Sequence, residues 1–146
     1  MPRVIEVSTD GALVASAFER LYEALRRLAP RDGLSLTAAS TLRRLQLRGP
    51  HRLSALHVAE GVTQPAMTQL VTRLERDGLA TRGPDPADGR AVVVTITEAG
   101  RTLVEQRRDR YAAALAGVLH GLAPAEHAVI LAALPALERL AETIAE

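Results

Sequence analysis

Apolar residues recur along most of this chain at the spacing of amphipathic helices, broken once by a pair of strand-like runs. From about Gly11 to Ala29, Val14, Phe18, Leu21, Leu25 and Leu28 form one stripe, with Asp10 read as the N-cap and Pro30 as the stop. A second helix is predicted over about Thr37 to Leu47, turning Leu42 and Leu45 to a core and Arg43, Arg44 and Arg48 outward. A short third follows from Leu53 to Glu60, with Ser54 as its N-cap. The next stretch, Thr63 to Gly78, is the best punctuated. Thr63 caps it, Pro65 sits in the first turn where its missing N–H costs nothing, and Gly78 supplies a left-handed stop. Leu79 to Gly83 and Ala91 to Ile96 read as strands joined by Pro84 to Arg90. Two long helices close the chain, about Glu98 to Leu119 and Pro124 to Ala145, with Gly121 and Pro124 marking the junction. Pro135 removes an i→i−4 bond inside the last helix and is expected to kink or divide it.

The stretch from Leu53 to Ile96 carries the chemistry. Two helices meet at Gly61-Val62, a connection suited to a steep crossing, and a hairpin follows the second. This is a helix-turn-helix pattern with a wing. In the second helix Met67, Leu70, Val71 and Leu74 share a buried face, and Gln64, Thr68, Gln69, Thr72, Arg73 and Arg76 share the opposite one. Gln can bond adenine bidentately, Arg can do so to guanine or grip phosphate, and Thr can serve base or backbone. Such a face suits a major groove, although polar helix faces are often merely solvated.

The run Gly61 to Thr68, continued through Leu74-Glu75-Arg76-Asp77-Gly78-Leu79, Asp85 to Arg90 and Val94 to Arg101, resembles the MarR family of bacterial winged-helix regulators. The Asp88-Gly89-Arg90 triplet, a strand, and the Thr97-Glu98-Ala99-Gly100 helix start are its most specific parts. The resemblance implies one domain over 1–146: a winged helix-turn-helix at about 34–97, with dimerisation helices at about 11–30 and 98–146. The fold class is thus mainly α with a small β-hairpin wing. It also implies a DNA-contacting set comprising Ser54, Thr63, Gln64, Ala66, Thr68, Gln69, Thr72, Arg73, Arg76, Asp88 and Arg90. In the family the Asp-x-Arg pair of the wing meets a minor groove, a role carried here to Asp88 and Arg90. From the residues alone, a turn Asp and a solvated Arg are the favoured account.

Composition narrows the picture. Hydrophobic residues make up 47% of 146, yet aromatics only 2%, which favours helices packed through Leu and Ala over a sandwich or barrel. With no cysteine, disulfides and thiol-based redox sensing are excluded. All 18 basic residues are Arg, which codon bias explains as readily as phosphate recognition. Net charge is +1, but Arg43 to Arg90 holds eight arginines against five carboxylates, a local excess that two copies in a dimer would present to phosphates. No stretch has the apolar length of a membrane span, and Met1 to Glu6 lacks the apolar core of a signal peptide, so a cytoplasmic location is expected.

Three long amphipathic helices exceed what one small winged-helix core can cover, which points to a partner; the resemblance implies that the partner is a second copy, paired through the first and last helices. Val14, Leu21, Leu131, Leu134, Leu137 and Leu140 are the residues expected at a homodimer interface. A dimer fits a palindromic operator in double-stranded DNA, read about one turn apart. The resemblance further implies a small amphipathic effector, for which Phe18, Tyr22, Leu45 and Tyr111 are the candidate pocket residues; taken one by one, each is better explained as a core or interface residue. No cofactor is expected. His51, His57, His120 and His127 are scattered, too few in one place for a metal site. No phosphate loop, Cys nucleophile or Gly-x-Ser-x-Gly turn supports an enzyme. The expected function is a dimeric DNA-binding repressor released by an effector. The alternative is a winged-helix module that meets a partner protein through the same polar helix face.

Overall fold

The computed structural model describes residues 9–145, in six helices and three strands. They form two compact units, Pro30–Arg110 and a second made of residues 9–29 and 111–145.

In the second unit, α1 (Thr9–Leu28) begins before the expected cap, so Asp10 lies inside its first turn, where a carboxylate complements the helix dipole. Its apolar stripe is left uncovered. No residue of α1 is buried, and Val14, Phe18 and Leu21 are all exposed. The final helix, α6 (Pro124–Ala145), matches the expected bounds and runs unbroken through Pro135, so that residue does not divide it. Leu131, Leu134, Leu137 and Leu140 are likewise exposed along it. No helix among the described residues is long and apolar enough to cross a membrane.

The Pro30–Arg110 unit is built around one small core. Here α2 (Leu36–Arg48) starts on Ser35, whose Oγ accepts the Ala38 amide at 3.1 Å. A strand too short to leave a periodic signature, β1 (His51–Arg52), comes next. It leads directly into α3 (Leu53–Ala59), so the N-cap is Arg52 and not Ser54, which lies within the first turn. After α4 (Gln64–Arg76) come β2 (Ala80–Pro84) and β3 (Val92–Ile96), then α5 (Glu98–His120), whose first half belongs to this unit. The sheet is antiparallel in the order β1-β3-β2, with Arg82 opposite Val94 and Arg52 opposite Val93.

Side chains from six of these elements meet in the core: Leu42 and Leu45 from α2, Leu56 from α3, Met67, Val71 and Leu74 from α4, Ala80 from β2, Val94 and Ile96 from β3, and Val104 from α5. Burial of each large aliphatic side chain contributes roughly 1.5–3 kcal/mol. The one buried polar side chain among the described residues, Thr41, satisfies itself by donating to the Thr37 carbonyl at 2.8 Å.

Two ion pairs add ties outside the core. Arg44 Nε donates to Glu60 Oε1 at 2.8 Å, holding α2 to the end of α3. Arg107 on α5 donates to Asp32 Oδ1 and to the Pro30 carbonyl, anchoring the segment that enters α2. Burial pushes the Asp32 carboxyl up. The Arg107 hydrogen bond and charge, with the Leu34 amide, outweigh that and hold it below the ordinary aspartate value.

Candidate nucleic-acid interface

The helix pair α3–α4 is set by matching ends. In both, a glycine with positive φ follows the cap, Gly61 at +64° and Gly78 at +73°, a conformation that L side chains adopt at a cost. After α3 the Val62 amide reaches back to the His57 carbonyl at 3.0 Å, and after α4 the Leu79 amide reaches the Leu74 carbonyl at 2.8 Å. These are Schellman closures. The first turns the chain from α3 into α4, and the second turns it from α4 into the wing.

Thr63 starts α4 in extended geometry, its Oγ1 accepting the Ala66 amide at 3.3 Å, with Gln64 and Pro65 in the first turn. Met67, Leu70, Val71 and Leu74 are buried, as the periodicity requires. On the far side Gln64, Ala66, Gln69, Arg73 and Arg76 are exposed. Gln69 and Arg73 make no side-chain bond to any described residue, and Arg76 pairs only with its neighbour Asp77 on the open surface. Thr68 and Thr72 are placed differently from the sequence expectation. Their hydroxyls donate to the Gln64 and Thr68 carbonyls, and they lie on the flank of α4 that faces β2. Ser54 is exposed on α3, at the start of the preceding helix.

The wing loop is organised by two aspartates. Asp85 Oδ1 accepts the Ala87 amide at 2.8 Å, and Asp85 Oδ2 accepts from Arg52 Nε. The Ala87 amide first, then the Arg52 guanidinium, hold this carboxyl below the usual aspartate value. Asp88 Oδ1 accepts the Arg90 amide at 3.1 Å, and the Asp85 amide closes the loop on the Ala91 carbonyl at 2.9 Å. The carboxylate that holds an arginine is therefore Asp85, through Arg52. Asp88 shapes the backbone under Arg90, whose side chain is exposed and without a described partner. Sequence reasoning missed Arg52 and Asp85 because they are 33 residues apart and β1 brings them together.

The remaining candidates are divided between the two units. Phe18 and Tyr22 are exposed on α1, where the Arg26 guanidinium lies 5.8 Å from the Tyr22 ring centre. Tyr111 is half-buried on α5. Leu45 is a correction: only 1% exposed, it is a core residue of the Pro30–Arg110 unit, enclosed by its neighbours. No group of three or more metal-capable side chains occurs among the described residues.

Helices α2, α3 and α4 with a capped turn, and a three-stranded antiparallel sheet ending in a hairpin, define a winged helix-turn-helix protein. Comparison with known proteins narrows this. Residues 34–92 match the model of the MarR family. The HTH-type transcriptional regulator Mb0904 of Mycobacterium bovis is 37% identical over 63% of this chain and 64% of its own length, so the chain spans just under two thirds of that relative. The solved transcriptional regulator Tm0710 of Thermotoga maritima superposes with a TM-score of 0.65 at 30% identity, covering 88% of this chain and 96% of that one. BpsR of Bordetella bronchiseptica, whose DNA binding is regulated by 6-hydroxynicotinic acid, gives a TM-score of 0.63 at 27% identity over 91% and 95% of the two chains. The chain belongs to the MarR family. The relatives named here are transcriptional regulators, not enzymes.

Proposed function

We propose that this protein is a sequence-specific DNA-binding transcriptional regulator acting in the cytoplasm, a homodimeric repressor of a palindromic operator that a small amphipathic molecule releases. The observation that carries the reading is the outer face of α4. Gln69 and Arg73 project from a helix fixed at both ends, with no partner within the described chain to satisfy them. Side chains of this kind on a rigid helix can meet base edges in a major groove, while Arg90 at the tip of the wing meets the more negative minor groove. Arg-rich surfaces of both copies would bring salt-dependent affinity.

The uncovered apolar stripes of α1 and α6 support a self-partner, since together they expose many large aliphatic side chains that water disfavours. Regulation of BpsR by a small aromatic acid supports an effector of related amphipathic character here. Its action must rest on different affinities for DNA-competent and DNA-incompetent arrangements of the dimer.

The test is selection from a random duplex pool by the purified protein at two salt concentrations, with the mass of the complex measured in parallel. Enrichment of a palindrome by a dimer is the expected result. Weak, salt-sensitive binding without sequence preference would refute DNA reading and favour a protein partner for the α4 face.

A further inference from the structure

We infer that Arg82, which lies outside the reading face, is a positioning residue that latches the wing to the recognition helix; this rests on the DNA-reading function proposed above. Arg82 sits in the middle of β2, opposite Val94. Its Nη2 donates to the Thr68 carbonyl at 3.1 Å and to Thr72 Oγ1. Its backbone amide donates to Glu75 Oε1 at 3.2 Å, and its Nε lies 3.8 Å from Glu75 Oε2. One residue of the wing is thereby fixed to three residues of α4, through both its main chain and its side chain.

The spacing explains why these three serve together. Successive helical residues turn by about 100°, so positions 68, 72 and 75 fall in one stripe along a flank of α4, between the buried face and the face of Gln69, Arg73 and Arg76. The hydroxyl of Thr72 donates to the Thr68 carbonyl at 2.8 Å and receives Arg82 on its oxygen. Its proton and one of its lone pairs are thus engaged before any DNA arrives, which leaves Thr72 no proton to donate to a base. Glu75 stands beside the guanidinium and neutralises it, so Arg82 contributes little as a phosphate ligand.

The consequence is geometric. β3 is anchored by β1 and by Val94 and Ile96 in the core, whereas β2 is the edge strand facing α4, and the loop beyond it carries Arg90. The Arg82 attachment near the middle of β2 fixes that edge, and with it the distance from Arg90 to the face of Gln69 and Arg73. Two grooves can then be met at once without ordering the wing during binding, which would otherwise reduce affinity.

The experiment uses a duplex selected by the wild-type protein from a random pool as probe, and compares Arg82→Ala, Arg90→Ala and the double variant. Arg90→Ala should weaken binding on the order of tenfold in the wild-type background. In the Arg82→Ala background the same change should cost less than about twofold, because an unlatched wing no longer places Arg90. Arg82→Ala alone should weaken binding and lower the salt slope by about as much as Arg90→Ala does, because the cation withdrawn from the DNA is Arg90 in both. Thr72→Val, which keeps the shape of the side chain, should weaken binding without altering the preference at any base pair. Thermal melting at one protein concentration establishes that each variant is folded. An equal loss from Arg90→Ala in both backgrounds, or a changed preference at a single base pair in Thr72→Val, overturns the latch. Failure of the wild-type protein to enrich any sequence overturns the DNA-reading function and the latch with it.

Discussion

Replacing Gly100 by alanine should destabilise the winged-helix unit, against the usual sign for a glycine within a helix. Gly100 is buried in the first turn of α5, and a Cβ built there lies 2.2 Å from the Leu79 carbonyl oxygen and 2.7 Å from Ile96 Cγ1. The carbonyl cannot easily move. It accepts the Thr97 amide at 3.1 Å, and Thr97 Oγ1 in turn donates to the Gly78 carbonyl at 2.6 Å and accepts the Gly100 amide at 3.1 Å. Relief needs about 1 Å of backbone displacement at the junction of α4, β2 and α5. Overpacking typically costs about 1–3 kcal/mol, and a clash with anchored backbone belongs at or above the top of that range. Helix propensity returns about 1 kcal/mol, so the net loss should be about 2–3 kcal/mol. Gly117 serves as the comparison. It is exposed in the same helix with nothing within 4 Å of its added Cβ, and Gly117→Ala should gain about 0.5–1 kcal/mol. Urea unfolding followed by circular dichroism, at one fixed protein concentration, measures both. A Gly100→Ala protein as stable as the wild type, or more so, would refute the reasoning.

Asp32→Asn removes the charged partner of half-buried Arg107 and should cost about 1–3 kcal/mol, read by urea unfolding at neutral pH. Because the folded-state pKa of Asp32 is depressed, the contribution of the pair is complete above the ordinary aspartate value. It is lost as pH falls through the lower folded value, so the difference between wild type and Asp32→Asn should shrink only in strong acid. Thr97→Val removes the α5 cap and the bond to the Gly78 carbonyl together, and should lower stability by about 1–2 kcal/mol in the same assay.

Local chemistry was legible in the sequence where it acts over a few residues. Thr63, Pro65 and Gly78 announce both ends of α4, Gly61 announces the turn before it, and the β-branched run at Val92–Ile96 announces the wing strand. Cap positions were less secure. Ser54 has the chemistry of a cap, but β1 pairs with β3 through Arg52 and shifts the helix start, which a two-residue strand cannot signal by period. Long-range polar ties were not legible at all. Helical periodicity places Thr72 on a polar face but does not say that an arginine ten residues later will occupy it, and nothing near Asp85 announces Arg52. Leu45 shows the opposite difficulty: a bulky residue on α2 suits a pocket or a core equally until its neighbours are known. The apolar stripes of α1 and α6 are legible in the sequence as stripes, but periodicity does not say what covers them.

The most direct test of base reading by α4 is the affinity of Arg73→Ala, beside the wild type, for the selected duplex and for every single-base-pair variant of it. A loss of about 1–3 kcal/mol confined to one position in each half-site, with preferences elsewhere intact, is the predicted result. Unchanged affinity, or uniform weakening across all variants, would contradict the assignment of the α4 face as the reader of DNA sequence.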